Sequence, residues 1–422
     1  MDGQRRGRGR GEFEARSWVM VVSEPTLTTD EAEEFAQKCR AFLAENSGGG
    51  PSIESAKSYL AAAVDAGLGG IVYPTEYGGA GLTKAHEKIW RAEKAKFPSV
   101  DAEYIISHGM CLPVLNDFGT DAQKQRFMAK NISGEHMWCQ MFSEPNAGSD
   151  VASLSTSAVL DGDVWIINGQ KVWTTLAHRS NYGVIIARTD PSVPKHAGIS
   201  MFIVDMAAPG VDIRPIHQID GGKHFNEVFF TNVGIPKDWL LGELNNGWNQ
   251  ATAMLMYERV AIGTAGAGDI TQRNYDMLVR LARQAGRISN PVVRDELMSV
   301  YAMETCKSLV AMRTRAEMKA GKAPGPGGSL GKLAGSNISR RVRSIAQNIG
   351  GLDGIAWENA GDDGEKLARH VLNSFQDGIA GGTDEIQRNI IGDRVLGLPR
   401  DISVDRGTPF NEIATSAGAE RR

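Results

Sequence analysis

The stretch Phe142-Ser-Glu-Pro-Asn-Ala-Gly-Ser-Asp150 marks the point where the chain changes from a helical to a β texture. A Pro/Gly-rich loop here exposes backbone N–H groups and two hydroxyls, Ser143 and Ser149. Such a loop can hydrogen-bond a planar heterocycle or a thioester-bearing ligand. Taken alone it reads as a turn, because Ser, Asn, Asp and Gly cluster in turns. Further on comes Lys171-Val-Trp-Thr-Thr175. Trp173 offers a face to a ring there, and Thr174 or Thr175 reaches the ring's polar edge. For a lone Trp on a strand, a core position is the ordinary reading.

Before the loop the pattern is helical. Ala32, Phe35, Ala36, Cys39 and Phe42-Leu43 repeat at 3.6-residue spacing, and Thr28-Thr29-Asp30 supply N-cap candidates. Further helices are expected at 55–66, 84–96 and 121–129, with a turn-rich loop at Pro74-Thr-Glu-Tyr-Gly-Gly-Ala-Gly81. After the loop, Asp161-Gly162-Asp163 predicts a hairpin, and Asn168-Gly169 predicts a second turn. Further strands are expected at 182–188, 199–205 and 227–231. From 247 on the pattern is helical again, over 248–285, 291–320, 329–349, 363–379 and 383–396. Lys322-Ala-Pro-Gly-Pro-Gly-Gly328 is a breaker. Leu330, Leu333, Ala334, Ile338, Val342, Ile345, Ala346 and Ile349 form one apolar stripe. Arg340, Arg341 and Arg343 read as a solvated or subunit-facing face. The fold class is therefore mixed α and β. A tail (1–27) precedes an N-terminal helical domain (28–137). A small β-barrel or sandwich (138–246), a four-helix-bundle-like domain (247–400) and a C-terminal tail (401–422) follow.

Composition bounds the function. With 422 residues, 41% of them hydrophobic, the chain can bury a large core. The net charge of −4 gives no support to a nucleic-acid-coating role. Five Arg against three acids make residues 1–20 net +2, so the remainder carries −6. The tail reads as a disordered extension or an over-called start. A nucleic-acid arm or targeting peptide is the competing reading, but no apolar h-region suggests secretion. No apolar run reaches the length of a membrane-spanning helix. Four dispersed Cys and eight scattered His lack metal-ligand spacing, and reduced cytoplasmic thiols are the default.

Taken together, Ser143-Glu-Pro-x-Ala-Gly-Ser-Asp150 and Asn168-Gly-x-Lys-x-Trp-x-Thr175 resemble the flavin-binding β domain of the acyl-CoA dehydrogenase family. Gln347-Asn-Ile-Gly-Gly351 resembles its flavin-diphosphate segment, and Gly381-Gly-Thr-Asp-Glu-Ile-Gln-Arg388 its C-terminal signature. The likeness runs from about residue 28 to 400, in the family's order. It implies FAD held between the β domain and the helical bundle, partly across a subunit boundary. Carried over position by position, Gln140, Met141, Phe142, Ser143, Ser149, Trp173, Thr174 and Thr175 would hold the ring side of FAD. Arg283, Gln347, Gly350, Gly351, Thr383 and Glu385 would hold the remainder. Ser149, Tyr257, Arg259 and Gly382 would lie near the CoA ester. The resemblance further implies an acyl-CoA substrate, an electron-transfer flavoprotein as acceptor, and a homotetramer, with a heterotetramer open. A cytoplasmic bacterial enzyme is expected, with neither nucleic acid nor membrane as partner.

The family's general base is a Glu that removes an α-proton while a β-hydride passes to the flavin. Many members carry it just before the Gly-Thr of the C-terminal signature. Here that position is Gly381, which cannot act as a base. Isovaleryl- and long-chain-type members carry the Glu on another helix, after a Gly-aromatic turn. Gly247-Trp248 followed by Met256-Tyr-Glu-Arg-Val260 matches that pattern, so Glu258 is the expected base. Burial among Met254, Leu255, Met256 and Val260 should tune its pKa toward working pH. Asp384 and Glu385 are weaker candidates. A second departure is Arg283-Gln-Ala-Gly-Arg287, where Gly286 stands in place of the family's aromatic residue. Gly381 also leaves a non-catalytic subunit of a heteromer as the alternative. An oxygen-using relative is disfavoured by length.

Overall fold

The computed structural model describes residues 27–50, 52–263, 273–319, 327–351, 361–400, 402, 405 and 407–413. The Arg/Gly tail, residues 322–326 of the breaker and the side chain of Arg259 lie outside the described residues. The first helix, α1 (Thr29–Asn46), starts with a capping box. The Glu31 N–H donates to Thr28 Oγ1 at 3.3 Å, and the Thr28 N–H donates to Glu31 Oε2 at 2.8 Å. Its Phe35, Cys39, Phe42 and Leu43 bury against Tyr59, Leu60 and Ala63 of α2 (Ile53–Asp65). After α3 (Lys84–Lys94) the chain makes a π-helical turn at Ser107–Cys111 and runs into α4 (Leu112–Phe118) and α5 (Asp121–Ile132). Gln123 of α5 is buried and donates to two carbonyls of the β domain, Asp238 (2.6 Å) and Leu240 (2.9 Å). Phe127 packs edge-on against Trp138 and Trp239 beside it. These contacts dock the first helices onto the sheet.

Among the described residues the middle of the chain forms one sheet of eight strands. They are β1 (Trp138–Met141), β2 (Ser157–Asp161), β3 (Val164–Thr175), β4 (Tyr182–Arg188), β5 (Ile199–Asp205), β6 (Val211–Pro215), β7 (Phe225–Pro236) and β8 (Leu240–Leu241). The order is β6-β7-β3-β2-β4-β5-β8, and β1 pairs parallel with β4. The expected hairpin is present, with Asp161 opposite Val164 and Gly162 at φ +59° in the turn. The second expected turn is not there. β3 runs through Asn168-Gly169 without reversing, and the register against β7 slips between Ile167 and Gly169. An Asn-Gly pair serves a bulge as well as a turn, because both take unusual backbone angles. The short strands β1, β6 and β8 were not expected; β1 and β8 are too short to show a clear alternation, whereas Val211-Asp-Ile-Arg214 of β6 does alternate and was passed over.

The third part begins with α6 (Gly247–Gly263) and α7 (Arg273–Gln284), both within the expected 248–285 helix, of which residues 264–272 lie outside the described residues. Then come α8 (Pro291–Lys319), α9 (Gly327–Gly350), α10 (Gly361–Asn373) and α11 (Asp384–Arg394). Ile338, Val342, Ile345, Ala346 and Ile349 of the α9 stripe bury against Leu278 and Ala282 of α7 and Val293, Leu297 and Val300 of α8. The Arg face of α9 stays partly solvated, with the Arg340 and Arg341 side chains 40% exposed, and also pairs within the chain. Arg340 pairs with Asp384, Arg341 reaches Glu296 and Ser299, and the Arg343 guanidinium covers the Phe375 ring at 4.1 Å. Each Arg ties α9 to a neighbouring element. Unlike the rest of this part, α6 belongs to the sheet's core: Ala251 and Met254 bury into it. It also meets α4 and the π-helical turn, whose buried residues share that core.

Candidate active site

The loop at 142–150 is held by a buried ion pair. Lys171 is 0% exposed; it donates to Glu144 Oε1 at 2.8 Å and to the Phe142 carbonyl at 3.0 Å. Both Glu144 oxygens also accept backbone N–H groups, from Ser155 (2.7 Å) and Thr156 (2.9 Å). Val172 N–H donates to the Ser143 carbonyl at 2.9 Å. Burial pushes the Glu144 pKa up, but Lys171, Thr156 and Ser155 outweigh it and hold it below the usual carboxylate range. The Glu and Lys of the two motifs therefore clasp the loop to β3. Sequence reading passed over both residues, since a Lys in a strand is usually exposed. The signal was their joint presence in the two motifs.

Beyond Lys171 the register slips again, before Thr174. Trp173 takes φ +61°, is 58% exposed, and meets the Phe225 ring edge-on at 5.8 Å. It is not a core residue. Thr174 is buried, and its Oγ1 has no partner among the described residues. A buried hydroxyl without a partner is costly unless a ligand or water completes it. Gln140 is half-buried, whereas the Met141 and Phe142 side chains lie in the core. Only the backbone of those two is available to a ligand. Ser143 is half-buried, Ser149 is exposed and Thr175 is half-buried.

The second group lies between α6 and α11. Glu258 is half-buried, and its Oε1 stands 3.6 Å from where a Cβ on Gly381 would be. The carboxylate thus comes up against the position where the C-terminal signature lacks one. Gly381 and Gly382 take φ +66° and +88°, and Gln387 donates to both of their carbonyls (3.2 and 3.3 Å). Thr383 caps α11, accepting the Ile386 N–H at 3.3 Å. Tyr257 Oη donates to Asp117 Oδ2 of α4 and so fastens the Glu258 turn to the N-terminal helices. Met254 is buried, while Met256 is half exposed. Asp384 is 3% exposed, bound to Arg340 (2.6 Å) and Ser336 (2.9 Å), with Lys332 at 3.6 Å. Burial raises its pKa, yet these partners prevail and hold it low. Asp384 is a committed structural anion. Glu385 is exposed and pairs with Arg388 at 3.3 Å.

The third group sits at one end of the bundle. Arg283 lies exposed in the last turn of α7, and Gln347, Gly350 and Gly351 end α9. Arg287 donates to the Asn348 carbonyl and joins the two helix ends. Gly286 takes φ +67°, and the Arg287 N–H reaches back to Ala282 O at 2.8 Å. This is a glycine helix stop, which explains why a residue without a side chain stands there.

The donor set suits FAD. Trp173 offers an exposed apolar face, Thr174 a hydroxyl without a partner among the described residues, and Arg283 an exposed cation for a diphosphate. Among the described residues no group of three or more His, Cys, Asp or Glu is placed to hold a metal, and no helix is long and apolar enough to cross a membrane.

The N-terminal, middle and C-terminal domain models of acyl-CoA dehydrogenase match residues 29–135, 139–233 and 245–396. The chain belongs to the acyl-CoA dehydrogenase family, a family of FAD-dependent oxidoreductases. It is 37% identical to acyl-CoA dehydrogenase IpdE1 of Mycobacterium tuberculosis, over 88% of this chain and 99% of that protein. It is 29% identical to the human mitochondrial short-chain specific acyl-CoA dehydrogenase, covering 78% and 80%. Among solved structures, the Tcur3481-Tcur3483 steroid ACAD is 27% identical with a TM-score of 0.72, covering 89% of this chain and 99% of that one. The ChsE4-ChsE5 complex from M. tuberculosis is 28% identical with a TM-score of 0.71, covering 89% and 99%.

Proposed function

We propose that the protein oxidises the Cα–Cβ bond of an acyl-CoA to a trans-2-enoyl-CoA, with Glu258 as the base. The observation that carries this is the Glu258 carboxylate oxygen standing 3.6 Å from the Cβ position of Gly381. Two helices far apart in sequence thus bring one carboxylate to the place where the signature itself has none. Glu258 takes the α-proton of the thioester. FAD, when bound, supplies the acceptor for the β-hydride. Trp173, Thr174 and Ser143 would hold the ring side of FAD, the Trp by its exposed face and the two hydroxyls by hydrogen bonds. Arg283, Gln347, Gly350, Gly351, Thr383 and Glu385 serve the rest of FAD. Ser149, Arg259 and Gly382 lie along the thioester. Tyr257, tied to Asp117, steadies the Glu258 turn as well as bordering the substrate.

Similarity to the steroid ACAD favours a bulky, ring-bearing acyl group over a short straight chain. The electron acceptor is an electron-transfer flavoprotein, the site of action the cytoplasm. The assembly is a homotetramer, with a mixed tetramer the second reading because two similar solved structures are named as pairs. Native mass spectrometry separates these.

The test is Glu258→Gln in the FAD-loaded enzyme, assayed with straight-chain, branched and steroid side-chain acyl-CoAs. Turnover should fall at least about 10²-fold while FAD content stays unchanged. Near-normal turnover removes Glu258 from the mechanism.

A further inference from the structure

The C-terminal segment is a part of the chain that the proposed chemistry does not use. Residues 407–413 return to the β domain. The Phe410 N–H donates to Val193 O (2.9 Å), the Asn411 N–H donates to Pro191 O (3.0 Å), and Pro409 bridges to Pro194. Phe410 is 5% exposed, and Ile413 is buried with it. The Phe410 ring lies 3.8 Å from the Arg188 guanidinium carbon. Arg188, at the end of β4, is 4% exposed. It donates to Ala152 O (2.6 Å), Leu154 O (3.3 Å) and Lys195 O (2.6 Å). Lys195 in turn reaches Asp150 Oδ2 at 2.7 Å.

These contacts form a chain of support. Ala152 and Leu154 close the same loop that carries Ser143, Glu144 and Ser149. A buried guanidinium needs its N–H groups filled in plane and its faces covered. The three carbonyls fill its two terminal NH2 groups, and Phe410 covers a face. Without the ring, water reaches the guanidinium and competes for its donors, which loosens its hold on the loop.

We propose that residues 407–413 act as a strap that positions the ligand-binding loop from outside, with Phe410 working through Arg188. Both are positioning residues. The functional half of this rests on the reading that Ser143 and Ser149 contact FAD and the thioester.

The experiment compares the FAD-loaded full-length protein with Phe410→Ala and Phe410→Tyr. Leu43→Ala, in the separate core of the N-terminal helices, is the control for general destabilisation. Hydrogen–deuterium exchange is read on peptides covering 150–157 and 188–198, together with FAD dissociation and acyl-CoA KM against kcat. Phe410→Ala should speed exchange in those two peptides about ten-fold and weaken FAD or acyl-CoA binding several-fold, with kcat little changed. Phe410→Tyr, which keeps the ring, should restore both. Unchanged exchange at 150–157, or the uniform rise seen in Leu43→Ala, overturns the strap. Faster local exchange with unaltered binding overturns its positioning role. Ser143→Ala separates the two layers: if FAD binding ignores that change, the site reading fails while the exchange data still judge the strap.

Discussion

The loop at 142–156 and the turn at 381–383 carry the two most recognisable motifs of the chain, and they are held in opposite ways. The loop is closed by its own residues. Lys171 and Glu144 are buried against each other, and two backbone N–H groups complete the carboxylate. The turn is nearly bare. Two glycines at positive φ present backbone, and the adjacent carboxylate arrives from α6. In the first region the charged motif residues build the scaffold. In the second, the scaffold is backbone and the charge is imported. A charged residue inside a motif is therefore no guide to chemistry until its burial and partners are known.

Catalysis should respond most to moving the charge in the second region. Glu258→Gln with Gly381→Glu returns a carboxylate to the signature position, next to the place Glu258 now fills. The double variant should recover about ten-fold over Glu258→Gln alone, because general-base catalysis returns in part. The positive φ at 381 limits the recovery. No recovery in steady-state rate, in a folded FAD-bound double variant, would mean the two positions do not share one substrate carbon.

Breaking the first region should cost stability instead. Lys171→Met leaves the Glu144 charge buried and unpaired. A loss of about 3–5 kcal/mol in denaturant unfolding is expected. The pH dependence has a definite sign. The Glu144 pKa is held below its ordinary 4.5, so its stabilisation is present above that value and lost as pH falls through the lowered one. In Lys171→Met, acid relieves the unpaired charge. The stability gap between the two proteins should narrow below about pH 4.5, and a gap that widens there contradicts the ion-pair account.

Smaller effects sharpen the contrast around the turn. Asp384→Ala removes hydrogen bonds to Arg340 and Ser336 and should cost about 1–3 kcal/mol. It should leave the reaction's pH profile unmoved, since Asp384 is a committed anion. Thr383→Ala removes the α11 cap and should cost about 1 kcal/mol. Thermal melts rank these two.

Much of the fold could be read from the chain because periodicity reports one-sided burial. The α9 stripe and the 161–164 hairpin are examples. Asn168-Gly169 misled because turn and bulge need the same backbone freedom, and only pairing with β7 separates them. The partners of the α9 Arg face were not legible, because helical spacing shows which residues share a face, not what packs against it. Lys171 escaped notice because its partner lies 27 residues away and burial of a Lys is rare. The expectation for Glu258 rests on the Gly247-Trp248 spacing together with the absence at 381; the contact between α6 and the turn is a tertiary fact.

Anaerobic mixing of the FAD-bound protein with an acyl-CoA it turns over, followed by flavin absorbance, tests the assignment of Glu258 most directly. With Glu258→Gln at equal FAD content, the bleaching rate should drop at least about 10²-fold while the oxidised spectrum and acyl-CoA binding persist. Bleaching within a few-fold of the unaltered protein would contradict the assignment.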